Sequence, residues 1–272
     1  MEELKEFVDM VTAAGSISAQ DARRFRGRFV FSRSQVFGRV GAPALRLLGD
    51  FAEGRSNRAH SADILKVILG MLLEVLIVSP PRKINASMPM PALVFVDGAC
   101  EPGRELPCVG VGACLFDHVG DDEVVEYFGD EAGPALVREW ANRPDQQVIA
   151  QAELVPVAMA LSTWGPRLKD RPVVIFIDND AARFGLVSGY SPVLASAALI
   201  SVVWRLLAQL GTAAWFARVP TCCNPADGPS RASFEALRAR VGSKRVSPSF
   251  LGAQGIPMWS AIAERLRTEI PT

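Results

Sequence analysis

Two short apolar runs in the second half of the chain each stop at a carboxylate. Residues 92–96 lead into Asp97, and residues 172–177 lead into Asp178. Runs this short and continuous predict strands buried on both faces. Gly98 follows Asp97 and is expected to turn the chain sharply and leave room beside the carboxylate. Residues 109–116 and 123–128 alternate well enough for antiparallel strands, with turns at Glu101-Pro102-Gly103 and Gly120-Asp121-Asp122. Residues 133–147, which include Trp140, read as an irregular connection. Residues 149–164 predict a helix with Leu154, Val157, Ala158 and Leu161 along one stripe. After strand 172–177 come a short helix at 181–186, a long apolar helix at 192–210 closed by Gly211, and a strand at 213–219. A loop at 220–225 and a helix at 227–240 complete the series βββαβααβα. This is an α/β pattern: a mixed five-stranded sheet flanked by helices.

The first part of the chain is different. Residues 2–12, 22–33, 42–52 and 61–78 predict helices, and Ser18 stands as an N-cap with Asp21 in the first turn after it. Arginine and phenylalanine interleave in residues 22–33. On a helix Phe25, Phe29 and Arg33 share one side, while Arg24, Arg28 and Phe31 lie elsewhere around it. One reading is an amphipathic helix with a solvated arginine face. The other is a surface that tracks a nucleic-acid backbone through Arg24 and Arg28. Pro80-Pro81 cannot continue a helix, and Pro91 precedes the first strand. The expected division is a small, mostly helical module at 1–90, a sheet domain at 91–240, and a tail at 241–272 with a short helix at 258–267.

Composition narrows the class. The chain has 272 residues, 49% hydrophobic and 21% charged, which is enough apolar surface for a folded core. Formal net charge is zero, so no overall basic field marks a nucleic-acid partner. Locally the balance breaks: residues 20–60 are rich in arginine and residues 97–153 lean acidic. The five cysteines have no zinc spacing, and Cys222 and Cys223 are too close in sequence for an ordinary disulfide with each other. A reducing, intracellular compartment, nuclear or cytoplasmic, is the simplest expectation. The opening residues do not form a signal peptide. The most apolar stretch, 64–78, carries Lys66 and Glu74 and is short for a membrane span, so no membrane partner is expected.

Four carboxylates stand where predicted elements meet. Asp97 and Asp178 end strands, Glu153 lies in the first turns of a helix, and Asp227 opens the last helix. Taken singly, each has a plainer reading: a strand-end cap for Asp97 and Asp178, a helix-face charge for Glu153, an N-cap for Asp227. Taken together, parallel neighbours ending in Asp97 and Asp178 would place two carboxylates at one sheet edge, where open α/β sheets hold their sites. Clustered carboxylates repel one another unless divalent cations neutralise them. Oxygen-only donors suit Mg²⁺ or Mn²⁺, and a pair of such ions can activate water and stabilise the leaving oxygen of a phosphodiester.

The segments VFVDGACEPG…VGVGACLFD, QAELVPVAMAL, VVIFIDNDAA and WFARVPTCCNPADGPSR resemble, in order, the four acidic motifs of ribonuclease H. The wording is most similar to the ribonuclease H domain of tyrosine-recombinase (DIRS-type) retrotransposon reverse transcriptases. RGRFVFSRSQVFGRVGAPALRLL and PPRKI resemble the thumb and connection that precede that domain. The resemblance covers roughly residues 18–235. It implies a ribonuclease H-like fold and a two-metal endoribonuclease that cuts the RNA strand of RNA–DNA hybrids, with Asp97, Glu153, Asp178 and Asp227 as catalytic metal ligands and two Mg²⁺ (or Mn²⁺) ions. It also implies the polymerase part of a reverse transcriptase as a partner, and a chain that is a fragment of a polyprotein or a domesticated piece. No palm or fingers precede the motifs, so polymerase activity is not expected from this chain alone.

The chain departs from that pattern in places. Cellular ribonucleases H carry a mobile histidine in the loop before the last aspartate, where this chain has Pro220-Thr221-Cys222-Cys223-Asn224. Proton transfer and product release would then fall to solvent or another group. The family's basic handle is not evident. Asn179, Asn224 and Arg231 are further candidates for nucleic-acid contact. Turn geometry accounts equally for the two asparagines, and a carboxylate pair accounts equally for Arg231. Asp180 is expected to N-cap the helix at Ala181. The rival to catalysis is a ribonuclease H-like module that binds nucleic acid or supports assembly without cutting.

Overall fold

The computed structural model describes residues 2–35, 38–53, 65, 68–70, 72, 89–119, 122–141 and 148–249. The predicted tail helix, the proline-rich boundary and the turn at 120–121 lie outside these residues.

The helical module comes first. Helices α1 (Glu2–Ala14), α2 (Ala19–Gln35) and α3 (Ala42–Glu53) bury Val8, Val11, Phe25, Phe29, Leu45 and Leu48 in one cluster. Of the helix expected at 61–78, the described residues Leu65, Ile68, Leu69 and Leu72 are helical and join that cluster. The Ser18 cap is present: its Oγ accepts from the Asp21 N–H at 3.0 Å and donates to the Asp21 carboxylate at 2.6 Å. The module leans on the rest of the chain through Arg46, whose guanidinium sits 5.6 Å from the Tyr190 ring centre, and through Gly189, which lies against Arg39 and Ala42.

A mixed sheet follows. Strands β1 (Ala92–Glu101), β2 (Cys108–Val119) and β3 (Asp122–Glu131) form an antiparallel meander. β4 (Pro172–Ile177) and β5 (Ala213–Arg218) add on parallel beside β1. A short strand, β6 (Ser243–Arg245), pairs parallel with β3, so the sheet has six strands in the order β5-β4-β1-β2-β3-β6. The expectation of five missed β6, a three-residue strand of Ser, Lys and Arg with no apolar signal.

The helices correct three further expectations. Residues 134–141 form α4 (Pro134–Ala141), with proline at its first position and Val137 and Trp140 buried, where an irregular connection was expected. α5 (Ile149–Thr163) is buried on nearly all sides from Gln151 to Leu161, a wider face than the expected stripe. The reason is its central place between the sheet and α8 (Leu194–Leu210), with which it shares one core. A one-turn helix, α6 (Gly165–Leu168), follows α5, and α7 (Asp180–Ser188) ends on left-handed Gly189. The predicted single helix at 227–240 is instead two short turns, α9 (Asp227–Ser230) and α10 (Glu235–Arg238). Ala232 adopts φ +56° between them, which breaks the helix.

Two buried polar clusters lock the sheet to the α5–β4 connection. Asp117 takes both guanidinium nitrogens of Arg171, at 2.9 and 3.1 Å. Glu126 accepts from the Trp164 indole and from Arg167, each at 3.0 Å. Among the described residues no helix is long and apolar enough to cross a membrane.

Candidate metal centre

β1 and β4 pair in parallel up to Phe95 and Phe176, so Asp97 and Asp178 each lie two residues farther along. Asp178 follows the last residue of β4. Asp97 does not end β1, as the sequence suggested; the strand continues to Glu101 by pairing with β2. Gly98 therefore does not turn the chain. A Cβ there would stand 2.4 Å from the Ala152 backbone, so glycine lets α5 press against β1. That approach delivers Glu153, one residue on, to the carboxylates.

The result is a compact group. Asp97, Glu153 and Asp178 each place a carboxylate oxygen within 4.8 Å of the other two. Asp97 and Glu153 are buried, Asp178 half-buried. Burial raises the Asp97 carboxyl above its usual range, with Asp178 and Asp227 adding to the rise and a Ser230 hydrogen bond opposing it. Burial, with Asp97 and Asp178 nearby, pushes Glu153 up to about 9. Its buried Oε2 has no hydrogen-bond partner among the described residues. A buried acceptor without a donor, facing two further carboxylates, fits a hard divalent cation: the cation supplies the charge the pocket lacks.

Asp227 stands apart from this trio. It is the first helical residue of α9 after Ala226, not an N-cap, and its Oδ1 accepts from Arg231 Nε at 3.1 Å. It is nevertheless near enough to Asp97 to raise that carboxyl.

What brings this segment over the sheet is a floor of glycine. A Cβ on Gly110, Gly112 or Gly129 would collide with the backbone of residues 226–230. Gly112 is the β2 partner of Asp97, so the chain lying on Gly112 runs directly beside that carboxylate. Ser230 uses this approach to donate its hydroxyl to Asp97 Oδ2. Reasoning from sequence missed Ser230; its spacing from Asp227 was the available signal, obscured by the expectation of one long helix.

The other candidates are spoken for differently. Asn224 is buried and points inward, donating to the Val96 carbonyl at 3.0 Å and to Asp97 Oδ1 at 3.4 Å. It supports Asp97 and is not exposed for nucleic acid. Asn179, not Asp180, caps α7 by accepting from the Ala182 N–H at 3.0 Å. Asp180 instead pairs with Arg183 at 2.9 Å and Arg218 at 3.5 Å. Arg231 pairs with Asp227 while keeping half its side chain in solvent. Arg24 and Arg28 are exposed on α2, whereas Phe25 and Phe29 are buried.

No family model matches the chain, and no curated protein matches it. Solved structures do. Ribonuclease H1 from the halophilic archaeon Halobacterium salinarum is 15% identical, over 54% of this chain and 99% of that one, with a TM-score of 0.36. LC9-RNase H1, a type 1 enzyme with the type 2 active-site motif, is 15% identical over 62% of this chain and 92% of its own, at a TM-score of 0.40. LC11-RNase H1, solved with an RNA/DNA hybrid, is 17% identical over 53% and 97%, at 0.33. These neighbours are ribonuclease H domains; what bears on chemistry here is the carboxylate geometry.

Proposed function

We propose that this chain is a metal-dependent endoribonuclease that cleaves the RNA strand of RNA–DNA hybrids. One observation carries the reading: carboxylates from β1, α5 and the end of β4 converge within 4.8 Å, two of them buried. Burying like charges is costly, and no cationic side chain is hydrogen-bonded to the trio among the described residues. Such a pocket is useful once a cation enters it.

Asp97, Glu153 and Asp178 would hold Mg²⁺ or Mn²⁺, and Asp227 would join as a further ligand by releasing Arg231. Two bound ions supply an activated water and a stabilised leaving oxygen. The chain's own residues do the rest. Ser230 and Asn224 fix the rotamer of Asp97. Gly98 sets the depth of Glu153. Arg231, once free of Asp227, is placed to meet a substrate phosphate, and Arg24 and Arg28 offer backbone contacts farther off. Hybrid would be recognised by shape and by 2′-hydroxyl and phosphate contacts. The wording of the four motifs and the thumb-like stretch before them support a reverse-transcriptase origin, with the polymerase part as partner.

A second reading, a non-catalytic nucleic-acid-binding or assembly module, is favoured by the Asp227–Arg231 pair and by a loop with cysteines where a histidine was expected. A labelled hybrid incubated with Mg²⁺ separates the two. The native chain is expected to cut it and Asp97→Asn to lose cleavage; equal products from both reject the enzyme.

A further inference from the structure

Cys222 and Cys223 are adjacent, both exposed, with their sulfurs 3.7 Å apart. On an extended strand two neighbouring side chains point to opposite faces. Here Thr221–Cys223 form a 3₁₀ turn, closed by Cys223 N–H to the Pro220 carbonyl at 2.8 Å and Asn224 N–H to the Thr221 carbonyl at 3.1 Å. That turn brings both thiols to the same side. A disulfide between them is poorly accommodated, since adjacent Cα atoms lie about 3.8 Å apart and disulfides prefer about 4.4 Å or more. The separation matches a different bond pattern. Two thiolates on a tetrahedral ion with metal–sulfur bonds of about 2.3 Å sit roughly 3.8 Å apart.

We propose that Cys222 and Cys223 form a surface dithiol site for a thiophilic divalent cation of the zinc and cadmium class, distinct from the carboxylate centre. On binding, two S–H bonds break, two metal–sulfur bonds form, and two protons pass to buffer; no oxidant takes part. The two sites sort cations by softness: thiolates take the soft ion, the oxygen cluster the hard one. Among the described residues no third His, Cys, Asp or Glu completes the dithiol, so water fills the remaining positions and the site stays open. Its place in the chain links it to the carboxylates. Asn224 follows Cys223 directly and holds Val96 and Asp97. A cation that clamps the turn therefore stiffens the support of Asp97.

The test is titration of the reduced chain with cadmium, followed by the ultraviolet thiolate-to-cadmium charge-transfer band. That band reports sulfur ligation whether or not the carboxylates are catalytic. A band saturating near one equivalent, lost in Cys222→Ser/Cys223→Ser and kept in Cys100→Ser/Cys108→Ser, supports the site. Circular dichroism checks that each variant is folded, and Cys222→Ser alone provides a milder change with the same expected loss. Absence of the band in the native chain, or a band that survives the Cys222/Cys223 change or depends equally on Cys100 and Cys108, overturns it.

Discussion

Asp97 and Asp178 occupy equivalent positions on neighbouring parallel strands, each two residues beyond the stacked pair Phe95 and Phe176, whose ring centres are 4.5 Å apart. The shared register makes the two carboxylates neighbours. Both lie just past the point where the β1–β4 pairing stops, so no β1–β4 backbone pair separates them.

Glu153 predicts a pH dependence. Its carboxyl titrates near 9 when folded and near 4.5 when unfolded, so between these values the native chain holds the extra proton. Stability from this group is complete below about pH 4.5 and is lost as pH rises toward 9. At about 1.4 kcal/mol per pKa unit, the loss reaches several kcal/mol across the window. In chelator-containing buffer, urea midpoints should therefore fall from pH 5 to pH 8, and Glu153→Gln should flatten the trend, leaving the smaller slope due to Asp97.

Mg²⁺ should restore what the alkaline pH removes. A cation that binds the native chain alone raises stability by about 2.7 kcal/mol at a hundredfold excess over its dissociation constant. Thermal melts at pH 8 should shift upward with Mg²⁺ in the native chain and stay unchanged in Asp97→Asn/Glu153→Gln.

Gly98→Ala tests the approach of α5. The new methyl meets backbone that has no rotamer with which to yield, so a destabilisation of about 2–3 kcal/mol is expected, together with loss of cleavage as Glu153 moves away. Gly27→Ala, in α2 where nothing lies within 4 Å of the added carbon, is the opposite case: helix propensity alone should raise stability by about 0.5–1 kcal/mol in the same denaturation series, with cleavage unchanged.

Ser230→Ala removes the hydroxyl that holds Asp97 and lowers its pKa. The Asp97 carboxyl should rise further, and the alkaline limb needed for metal uptake should move to higher pH. The readout is the pH profile of Mg²⁺ binding by calorimetry; an unchanged profile would remove Ser230 from the site.

Arg171→Met strands Asp117, which is 2% exposed and accepts both guanidinium nitrogens. Burial alone would raise Asp117, but the Arg171 bonds outweigh it and hold the carboxyl below its usual value. The stability it contributes is present above about pH 4 and lost as pH falls through the lowered value. With Arg171 partly in solvent, a cost of about 2 kcal/mol at neutral pH is expected from denaturant unfolding, shrinking in acid.

The sequence by itself determined the order of the five main strands and of the helices between β3 and β5 that carry a strong apolar pattern, and the acidic residues they hold; it did not show α4, β6 or the break at Ala232. Continuous apolar runs ending at Asp97 and Asp178, and a helix carrying Glu153, were legible because strand and helix periods are local properties. Other features depend on contacts between residues distant in sequence. Pairing with β2 carries β1 past Asp97 and gives Gly98 its role against α5. The Gly110, Gly112 and Gly129 floor admits residues 226–230, bringing Ser230 to Asp97, while Asp227 pairs with Arg231 and stands outside the trio. Periodicity records which face of an element is apolar. It does not record how closely another backbone can approach that face, and that distance decides which carboxylates meet.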